Sequence, residues 1–190
     1  MSAANNLLEE IKNKSIADSI PLLRDKTLGL FTKEIVKCGY TSVLEIGTAY
    51  GYSALAFSLI DCVNEVVSIE RDEIRYGIAK QNLKDIKNIN LVLCDAFNYV
   101  PNKKYDVILV DGPKSKQDIL VTKYLQYLNV NGTMFIDNIF LKKFDDLKTL
   151  TKNQASLKRK VDEFKNWLIE NKDFHADIID IDDGVAIIKK

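Results

Sequence analysis

Short apolar runs alternate with amphipathic helical patterns along most of the chain. The runs are apolar on both faces and rich in β-branched residues; they are SVLEI (42–46), EVVSIE (65–70), INLVLC (89–94), YDVILVD (105–111) and TMFID (133–137). Helical patterns begin between them, near Tyr52, Asp72 and Ser115. Strands that are apolar on both faces are typical of a parallel sheet covered by helices. The alternation therefore predicts an α/β fold with a doubly wound sheet.

The segments outside this alternation predict further helices and a final hairpin. Before the first strand, DKTLGLFTKEIVKCG indicates a helix with Asp25 as its N-cap and Gly39 as its stop signal. Near the C-terminus, QASLKRKVDEFKNWLIE repeats apolar residues on one helical face. Two strand-like runs then surround Asp182, Asp183 and Gly184, which is the signal of an antiparallel hairpin.

Length and composition are those of one globular domain. The chain has 190 residues, enough for a full hydrophobic core, and we expect a single domain over 1–190. Residues 1–40 would form a helical region and 41–190 the core. Apolar residues make up 46% and charged residues 28%. The 27 basic and 27 acidic side chains cancel, so no overall field attracts nucleic acid or a membrane.

Cysteine usage and the N-terminal segment favour a soluble, cytoplasmic protein. Cys38, Cys62 and Cys94 lie far apart without a CxxC pair, which argues against zinc and against a disulfide framework. The N-terminal MSAANNLLEEIKNK has acidic residues where a signal peptide needs basic ones. No apolar run approaches the length that spans a bilayer, so we expect no membrane partner.

The loop after the first predicted strand contains two separated glycines. In EIGTAYGYS, Gly47 and Gly51 form G-x-x-x-G, which lacks the middle glycine of the dinucleotide pattern G-x-G-x-x-G. That glycine lets the backbone approach a pyrophosphate. Glu45 and Glu70 lie at the ends of the first and second strands, where Glu70 could accept both ribose hydroxyls. The set suggests a cofactor with a ribose and no pyrophosphate at the loop, such as S-adenosylmethionine, rather than a turn needed only for packing.

Asp95 and Ala96 follow the third predicted strand. A side chain at this position could meet an adenine ring. An Asp at a strand end is also a common helix N-cap. The two readings are compatible, and the residues alone leave both open.

Oxygen-bearing side chains end the fourth and fifth predicted strands. Asp111 ends the fourth, and Asp137 with Asn138 ends the fifth, so these side chains can converge at one edge of the sheet. Two carboxylates and an amide carbonyl are hard donors suited to Mg²⁺ or another divalent cation, which would activate a substrate hydroxyl. Beside such a cation, Lys114 could lose its proton and act as general base. Without the second strand end, DGPK would be read as a turn with an exposed lysine.

Taken in order, these motifs resemble a known enzyme family. VLEIGTAYGYSAL, SIERDE, CDAF, YDVILVDGPK, FIDNIF and DDGVAIIKK are similar to segments of the metal-dependent, catechol-type O-methyltransferases. Within that family, SIPLLRDKT and KVDEFKNWL are similar to segments of the bacterial tRNA 5-hydroxyuridine O-methyltransferases. The resemblance implies the class I methyltransferase fold, a Rossmann-like, doubly wound, seven-stranded sheet whose last strand is antiparallel. It also implies a homodimer, since the family commonly forms dimers.

The resemblance implies a role for each site residue. Side chains that would surround S-adenosylmethionine are Glu45, Gly47, Tyr50 and Ser53 at its methionine part, Glu70 at the ribose, Asp95 and Ala96 at the adenine, and Asp111 beside them. The divalent metal, Mg²⁺ or a similar ion, would be bound by Asp111, Asp137 and Asn138. Lys114 would take the substrate proton, and with Asp111 it forms the catalytic pair.

Departures from the family pattern surround the acceptor pocket. The chain has DGPKSKQD where the tRNA enzymes usually have DAAKGQY, IFLKKFDD after the DN pair where a glycine is usual, and DDG in the last turn instead of GDG. The N-terminal helical region is also shorter than typical. The acceptor could therefore be hydroxylated wobble uridine in tRNA or a small catechol-like molecule, because both present two adjacent oxygens.

Basic side chains near these segments could contact phosphates of an RNA loop. They are Arg24, Lys26, Lys142, Lys143, Lys158, Arg159 and Lys160. Solvated helix faces explain them equally well in a chain of balanced charge. A nucleotide-binding oxidoreductase or a non-catalytic cofactor binder is a more distant alternative, disfavoured by the missing glycine and by the aligned Asp111, Lys114, Asp137 and Asn138.

Overall fold

The computed structural model describes residues 3–140, 142 and 149–190. Helices in this part of the chain are α1 (Ala3–Ala17), α2 (Asp25–Cys38), α3 (Tyr52–Ser58), α4 (Glu73–Asn82), α5 (Gln117–Leu125) and α6 (Lys152–Glu170). Strands are β1 (Ser42–Ile46), β2 (Glu65–Glu70), β3 (Ile89–Leu93), β4 (Tyr105–Val110), β5 (Leu128–Asp137), β6 (Ala176–Ile179) and β7 (Val185–Lys189). A short 3₁₀ turn, Lys114–Lys116, precedes α5. Within the described ranges, no helix combines the length and apolar composition needed to cross a membrane.

The strands form one seven-stranded sheet in the order β3-β2-β1-β4-β5-β7-β6. Strands β1 to β5 pair in parallel, whereas β7 lies antiparallel to both β5 and β6. The predicted sheet and its antiparallel last strand are therefore confirmed. The strand order reverses between β1 and β4, and ligands of such sheets bind outside the carboxyl ends of the strands at this point.

Side chains alternate between the two faces of the sheet and build a core on each. On β1, Val43 belongs to the core below α1, α2 and α3, and Leu44 to the core below α5 and α6. Phe31 of α2 stacks on Phe135 of β5 with ring centroids 4.1 Å apart. Both faces are covered, which is why these strands read as nearly continuous apolar runs.

The predicted N-cap of α2 is wrong. Asp25 is the first helical residue, and the N-cap position is occupied by Arg24, which makes no side-chain cap bond. The Asp25 carboxylate instead accepts two hydrogen bonds from Lys12 of α1, at 2.7 and 2.9 Å. An ion pair with a neighbouring helix has replaced the local cap, and the open amides of α2 need another acceptor.

Strand β5 begins at Leu128 rather than at Thr133, where the apolar run starts. Its pairing with β4 shifts between Tyr105 and Val107, which marks a bulge. Asn131 takes a positive φ of 63° in this stretch, as residues at bulges often do. The composition of LNVNG is typical of a turn, although the segment lies in a strand.

Candidate active site

A cavity of about 610 Å³ opens at the carboxyl edge of the sheet, where the strand order reverses. Predicted site residues in its lining are Gly47, Glu70, Asp95, Ala96, Asp111, Lys114, Asp137 and Asn138. The structure thus brings the ends of β1 through β5 together at one opening, as the topology requires.

Gly47 lets the loop after β1 pass directly over the end of β4. Its φ is +104°, and a Cβ built there would lie 2.5 Å from the backbone oxygen of Asp111. The loop is fixed from the other side because the Gly47 amide donates to the Ile69 carbonyl at 3.0 Å. Only glycine combines this φ with so close an approach. The turn therefore presses the cofactor loop against the predicted metal edge.

Glu70, the last residue of β2, accepts a hydrogen bond from the backbone of the same loop. Its Oε2 accepts the Ala49 amide at 2.8 Å, and its Oε1 accepts the Arg71 and Asp72 amides at 2.9 Å each. The carboxylate is largely buried yet lines the cavity. Each oxygen has further acceptor capacity, so the side chain can hold the loop and still accept ribose hydroxyls.

Glu45 lies beneath the loop rather than in the cavity lining. It is fully buried, accepts a hydrogen bond from Ser68 Oγ, and interacts with the Ser53 hydroxyl, but its Oε1 has no partner among the described residues. Burial raises the pKa of Glu45 to about 7, and the nearby Asp111 and Glu70 add to the rise. Such an unpaired acceptor below the loop fits a cationic ligand above it.

Tyr50 also lies outside the cavity lining. Its ring is buried, and its hydroxyl donates to Asp18 at 3.0 Å. Burial and the adjacent carboxylate raise the pKa of Tyr50. In this arrangement Tyr50 ties the cofactor loop to the segment after α1, and its predicted contact with the cofactor remains a prediction.

Asp95 and Ala96 form a turn after β3 and line the cavity. Asp95 Oδ1 accepts the Phe97 amide at 2.9 Å, so its carboxylate caps this turn and not a helix. The Ala96 carbonyl accepts from Lys123 Nζ at 3.0 Å and from Tyr124 Oη at 2.8 Å. The turn is thereby held on α5, with its inner side open to the cavity.

Asp111 and Asp137 both line the cavity at this edge, where Asp137 is buried and Asp111 is half-buried. Burial raises the pKa of Asp111 to about 6, with Lys114 opposing the rise. Burial likewise raises the pKa of Asp137 to about 7, and the charge of Asp111 raises it further. A largely buried carboxylate whose ionised form is disfavoured by a second carboxylate is an environment that a bound cation relieves.

Lys114, Asn138 and Asp137 form a hydrogen-bonded row at this edge. Lys114 Nζ donates to Asn138 Oδ1 at 2.8 Å, and Asn138 Nδ2 donates to Asp137 Oδ2. Asn138 has a φ of +62°, which turns its amide back over the strand end. Gln117, which is almost fully buried, donates to the Asp137 carbonyl at 2.9 Å and fixes the strand end from below.

The predicted metal ligands share an edge but form only a sparse set. The described ranges contain no group of three or more His, Cys, Asp or Glu side chains that could hold a metal. The predicted set consists of two carboxylates and one amide. These are hard oxygen donors, and an Mg²⁺ ion usually keeps several waters beside one or two carboxylates, so the chemistry of the donors fits.

Three of the seven predicted basic residues have acidic partners in the described part of the chain. Arg24 lines the cavity and pairs with Asp183 at 2.7 Å, and Lys142 pairs with Asp180. Arg159 lies 3.6 Å from Glu163 on the same helix. Lys143 lies outside the described residues. A continuous phosphate-binding surface is therefore still a prediction.

Comparison with models of protein families identifies the family of this chain. The family model for O-methyltransferases matches residues 2–190. This chain belongs to the O-methyltransferase family. The match spans the sheet, the cavity and the final hairpin, so the family assignment covers every element described above.

Solved structures support the same fold for this O-methyltransferase. A Staphylococcus aureus protein provisionally assigned as a caffeoyl-CoA O-methyltransferase is 29% identical, with a TM-score of 0.89 over 100% of this chain and 93% of that one. The methyltransferase PaMTH1 of Podospora anserina, bound to SAH, is 22% identical with a TM-score of 0.83 over 99% and 88%. The predicted class I methyltransferase fold is thus confirmed.

A curated relative has a different named activity. It is a probable cobalt-precorrin-6B C(15)-methyltransferase of Thermoplasma volcanium, 29% identical over 133 residues. The match covers 68% of this chain and 66% of that protein, just under two thirds of its length. Its activity is therefore no guide to the acceptor of this enzyme.

Sequence reasoning missed several residues that line or support the cavity. Arg71, Arg75 and Phe140 line it, and Gln117 supports Asp137. The arginines follow Glu70 in ERDEIR and could have been noticed from that position. Gln117 carried no signal, because a buried glutamine within SKQD reads as an ordinary surface residue.

Proposed function

We propose that this enzyme is an S-adenosylmethionine-dependent and divalent-metal-dependent O-methyltransferase that methylates 5-hydroxyuridine at the wobble position of tRNA. The observation that carries the proposal is the row Lys114–Asn138–Asp137 beside Asp111. A lysine Nζ lies 2.8 Å from an oxygen of the predicted metal set, on the cavity that the glycine loop borders. Once it has lost its proton beside a cation, Lys114 would be a proton acceptor for a hydroxyl bound at that edge.

The cofactor assignment is supported by the residues around the glycine loop. Glu70 lines the cavity and would bind the ribose hydroxyls, and Asp95 and Ala96 line the same cavity and would border the adenine. The related PaMTH1 structure contains SAH, and that of TomG from Streptomyces achromogenes contains SAM. When bound, S-adenosylmethionine would supply an electrophilic methyl group on its sulfonium. The loop and Glu70 would hold the cofactor so that this group faces the metal edge.

The residues of the metal edge divide the remaining work. Asp111, Asp137 and Asn138 would hold the cation through their oxygens. When bound, the cation would orient two adjacent acceptor oxygens and make the hydroxyl more acidic. Lys114 would then accept the hydroxyl proton, and Gln117 would keep the end of β5 in place through the Asp137 carbonyl. Positioning and deprotonation are sufficient for transfer from a sulfonium, so no further nucleophile is needed from the chain.

Both candidate acceptors present two adjacent oxygens to the metal edge. A 5-hydroxyuracil offers its hydroxyl and the neighbouring 4-carbonyl as a chelating pair. A second candidate is a small catechol-like molecule, which offers the same pair. It is favoured by the pairing of Arg24, a basic residue of the cavity lining, with Asp183. It is also favoured by the Staphylococcus aureus relative, whose provisional name refers to an aromatic acceptor.

Methyl transfer assays can test the proposal directly. The protein is incubated with labelled S-adenosylmethionine, Mg²⁺ and either hypomodified tRNA or a panel of catechols. We expect incorporation into tRNA, abolished by EDTA, and a loss of roughly 10²–10⁴-fold in kcat for Lys114→Ala. The matched control is Lys116→Ala, because Lys116 lies on the same 3₁₀ turn but packs over the Phe97 ring, 5.3 Å from its centroid.

Each assay result has a defined meaning. Transfer that persists in EDTA or in Asp137→Ala contradicts the role of the metal. Transfer to catechols without transfer to tRNA replaces the preferred acceptor by the second one. Equal loss in Lys114→Ala and Lys116→Ala would remove Lys114 from its assigned role.

A further inference from the structure

The turn between β6 and β7, here called the Asp182–Gly184 turn, touches the segment before α2. Asp183 Oδ2 accepts a hydrogen bond from Arg24 Nη2 at 2.7 Å. Asp182 Oδ2 accepts from both the amide and the hydroxyl of Thr27, at 3.0 Å each. Arg24, Asp182 and Asp183 all line the cavity. The turn therefore holds the wall of the cavity that the N-terminal segment provides.

Asp182 supplies the cap that α2 lacks in its own sequence. The N-cap residue Arg24 makes no side-chain cap bond, and Asp25 is engaged by Lys12. The Thr27 amide is one of the open donors of the first helical turn, and Thr27 is almost fully buried. A carboxylate 155 positions away in the sequence satisfies it. The start of α2 is thus fixed by a tertiary contact.

The same turn holds the opposite wall, which follows Asn138. The Asp183 carbonyl accepts the Phe140 amide at 2.8 Å, and the Gly184 carbonyl accepts the Ile139 amide at 3.1 Å. Gly184 has a φ of +80°, and its backbone lies against the Phe140 ring with no room for a Cβ. Phe140 lines the cavity beside Asn138. The Asp182–Gly184 turn is therefore hydrogen-bonded to both walls of the cavity.

Asp182 occupies a backbone conformation that favours glycine. Its φ is +49°, in the left-handed region, at the first position of the DDG turn. Aspartate tolerates this region better than most residues but is still disfavoured relative to glycine. The strain is retained at a position whose carboxylate joins the turn to Thr27.

We propose that Asp182 and Asp183 are positioning residues that hold the two walls of the acceptor side together and thereby determine which acceptors bind. This inference rests on the proposed function for the identity of the ligand, but the contact itself can be tested without any acceptor. Within the described residues, the side-chain hydrogen bonds of both carboxylates go to Arg24 and Thr27 and none to the loop around Gly47. One wall directly follows Asn138, and the other carries Arg24, which lines the same cavity as Lys114. Loss of the carboxylates should therefore affect the acceptor and spare S-adenosylmethionine.

Hydrogen–deuterium exchange and steady-state kinetics test this inference together. Asp182→Gly removes the cap while relieving the backbone strain, so this variant is expected to fold. Amide exchange in peptides covering residues 21–31 should become roughly tenfold faster. The KM for the best acceptor should rise at least about fivefold, with kcat and the Kd for S-adenosylmethionine changed less than about twofold.

Conservative and control variants separate positioning from general destabilisation. Asp182→Asn keeps an acceptor oxygen for Thr27 and should restore both exchange and KM toward wild type. Asp183→Ala should raise the acceptor KM, because Arg24 loses its partner. Asp177→Asn is the control, since Asp177 lies on β6 of the same hairpin, where it pairs with the exposed His175. It should leave both measurements unchanged.

The possible outcomes are distinct for the two proposals. Unchanged exchange in Asp182→Gly overturns the inference, as does a parallel loss of S-adenosylmethionine affinity and acceptor affinity. Failure of Asp182→Asn to restore either measurement also counts against it. If wild type methylates no acceptor while exchange responds as expected, the proposed function fails and the positioning contact stands.

Discussion

Replacing Gly47 by alanine tests how the cofactor loop is held over the end of β4. The added Cβ would lie 2.5 Å from the Asp111 backbone oxygen, at a φ of +104°. The contact is with backbone and cannot be relieved by rotating a side chain. The loop or the start of the segment after β4 must therefore move. Either movement separates the cofactor loop from the predicted metal edge.

The cost follows from two contributions. An alanine held at this φ costs about 1–3 kcal/mol. Relief of the close contact also weakens the hydrogen bonds that fix the loop, from the Gly47 amide to Ile69 at 3.0 Å and from the Asp111 amide to Ile46 at 3.1 Å. Each bond contributes about 1 kcal/mol. We expect a destabilisation of about 2–5 kcal/mol, which lowers Tm by roughly 4–20 °C in a chain of this size.

Thermal unfolding and calorimetric titration with S-adenosylmethionine measure the two consequences. The matched control is Gly29→Ala, because Gly29 lies in α2 with no atom near its added Cβ. This control should be neutral or more stable by up to about 1 kcal/mol, since alanine is the better helix former. A Gly47→Ala protein with wild-type Tm and cofactor affinity would refute the reasoning about the loop.

Other predictions concern charge. Mg²⁺ at about 100 times its Kd should raise the free energy of unfolding by about 2.7 kcal/mol, and this rise in thermal unfolding assays should vanish in Asp137→Asn. Asp106→Asn should lose about 2–4 kcal/mol at pH 7 in urea unfolding, because Asp106 Oδ2 accepts four hydrogen bonds from Thr41 and Ser42. Burial opposes these bonds, but they hold the pKa of Asp106 below its usual range, so its contribution is present above about pH 4 and lost as pH falls through the folded pKa. A variant difference that persists unchanged at pH 2–3 would contradict this assignment. The pH dependence contributed by Glu45 has the opposite sign, because burial raises the pKa of Glu45 to about 7. The free energy of unfolding of the wild type should therefore fall as pH rises from about 5 to 8. Glu45→Gln should make this slope shallower.

The sheet could be predicted because parallel strands carry an unambiguous pattern. A strand such as β4 is buried on both faces, so its apolar run and its closing Asp111 fix both its position and its carboxyl end. Where pairing is irregular, the pattern fails. The first half of β5 contains Asn131 at positive φ, and its composition indicates a turn although it belongs to the strand; only Leu128 in this half pairs with β4.

Local rules also fail where a partner lies far away in sequence. Asp25 satisfies every local criterion for an N-cap, yet Lys12 binds it, and the capping carboxylate is Asp182. In the site, side chains at strand ends could be placed from topology alone. Whether Glu45 points into the cavity or beneath the loop depends on its contact with Ser68. The spacing of residues along the sequence cannot predict that contact.

The charge of the cavity limits how a nucleic acid could be bound. Among the described residues, its lining carries six acidic side chains, Glu70, Asp95, Asp111, Asp137, Asp182 and Asp183, and four basic ones, Arg24, Arg71, Arg75 and Lys114. An acidic surplus favours a divalent cation and a sulfonium, but it repels phosphates. A tRNA acceptor would therefore insert only its uncharged base and leave its backbone outside. Its affinity would then depend steeply on salt through surface contacts, whereas the affinity of a catechol would not.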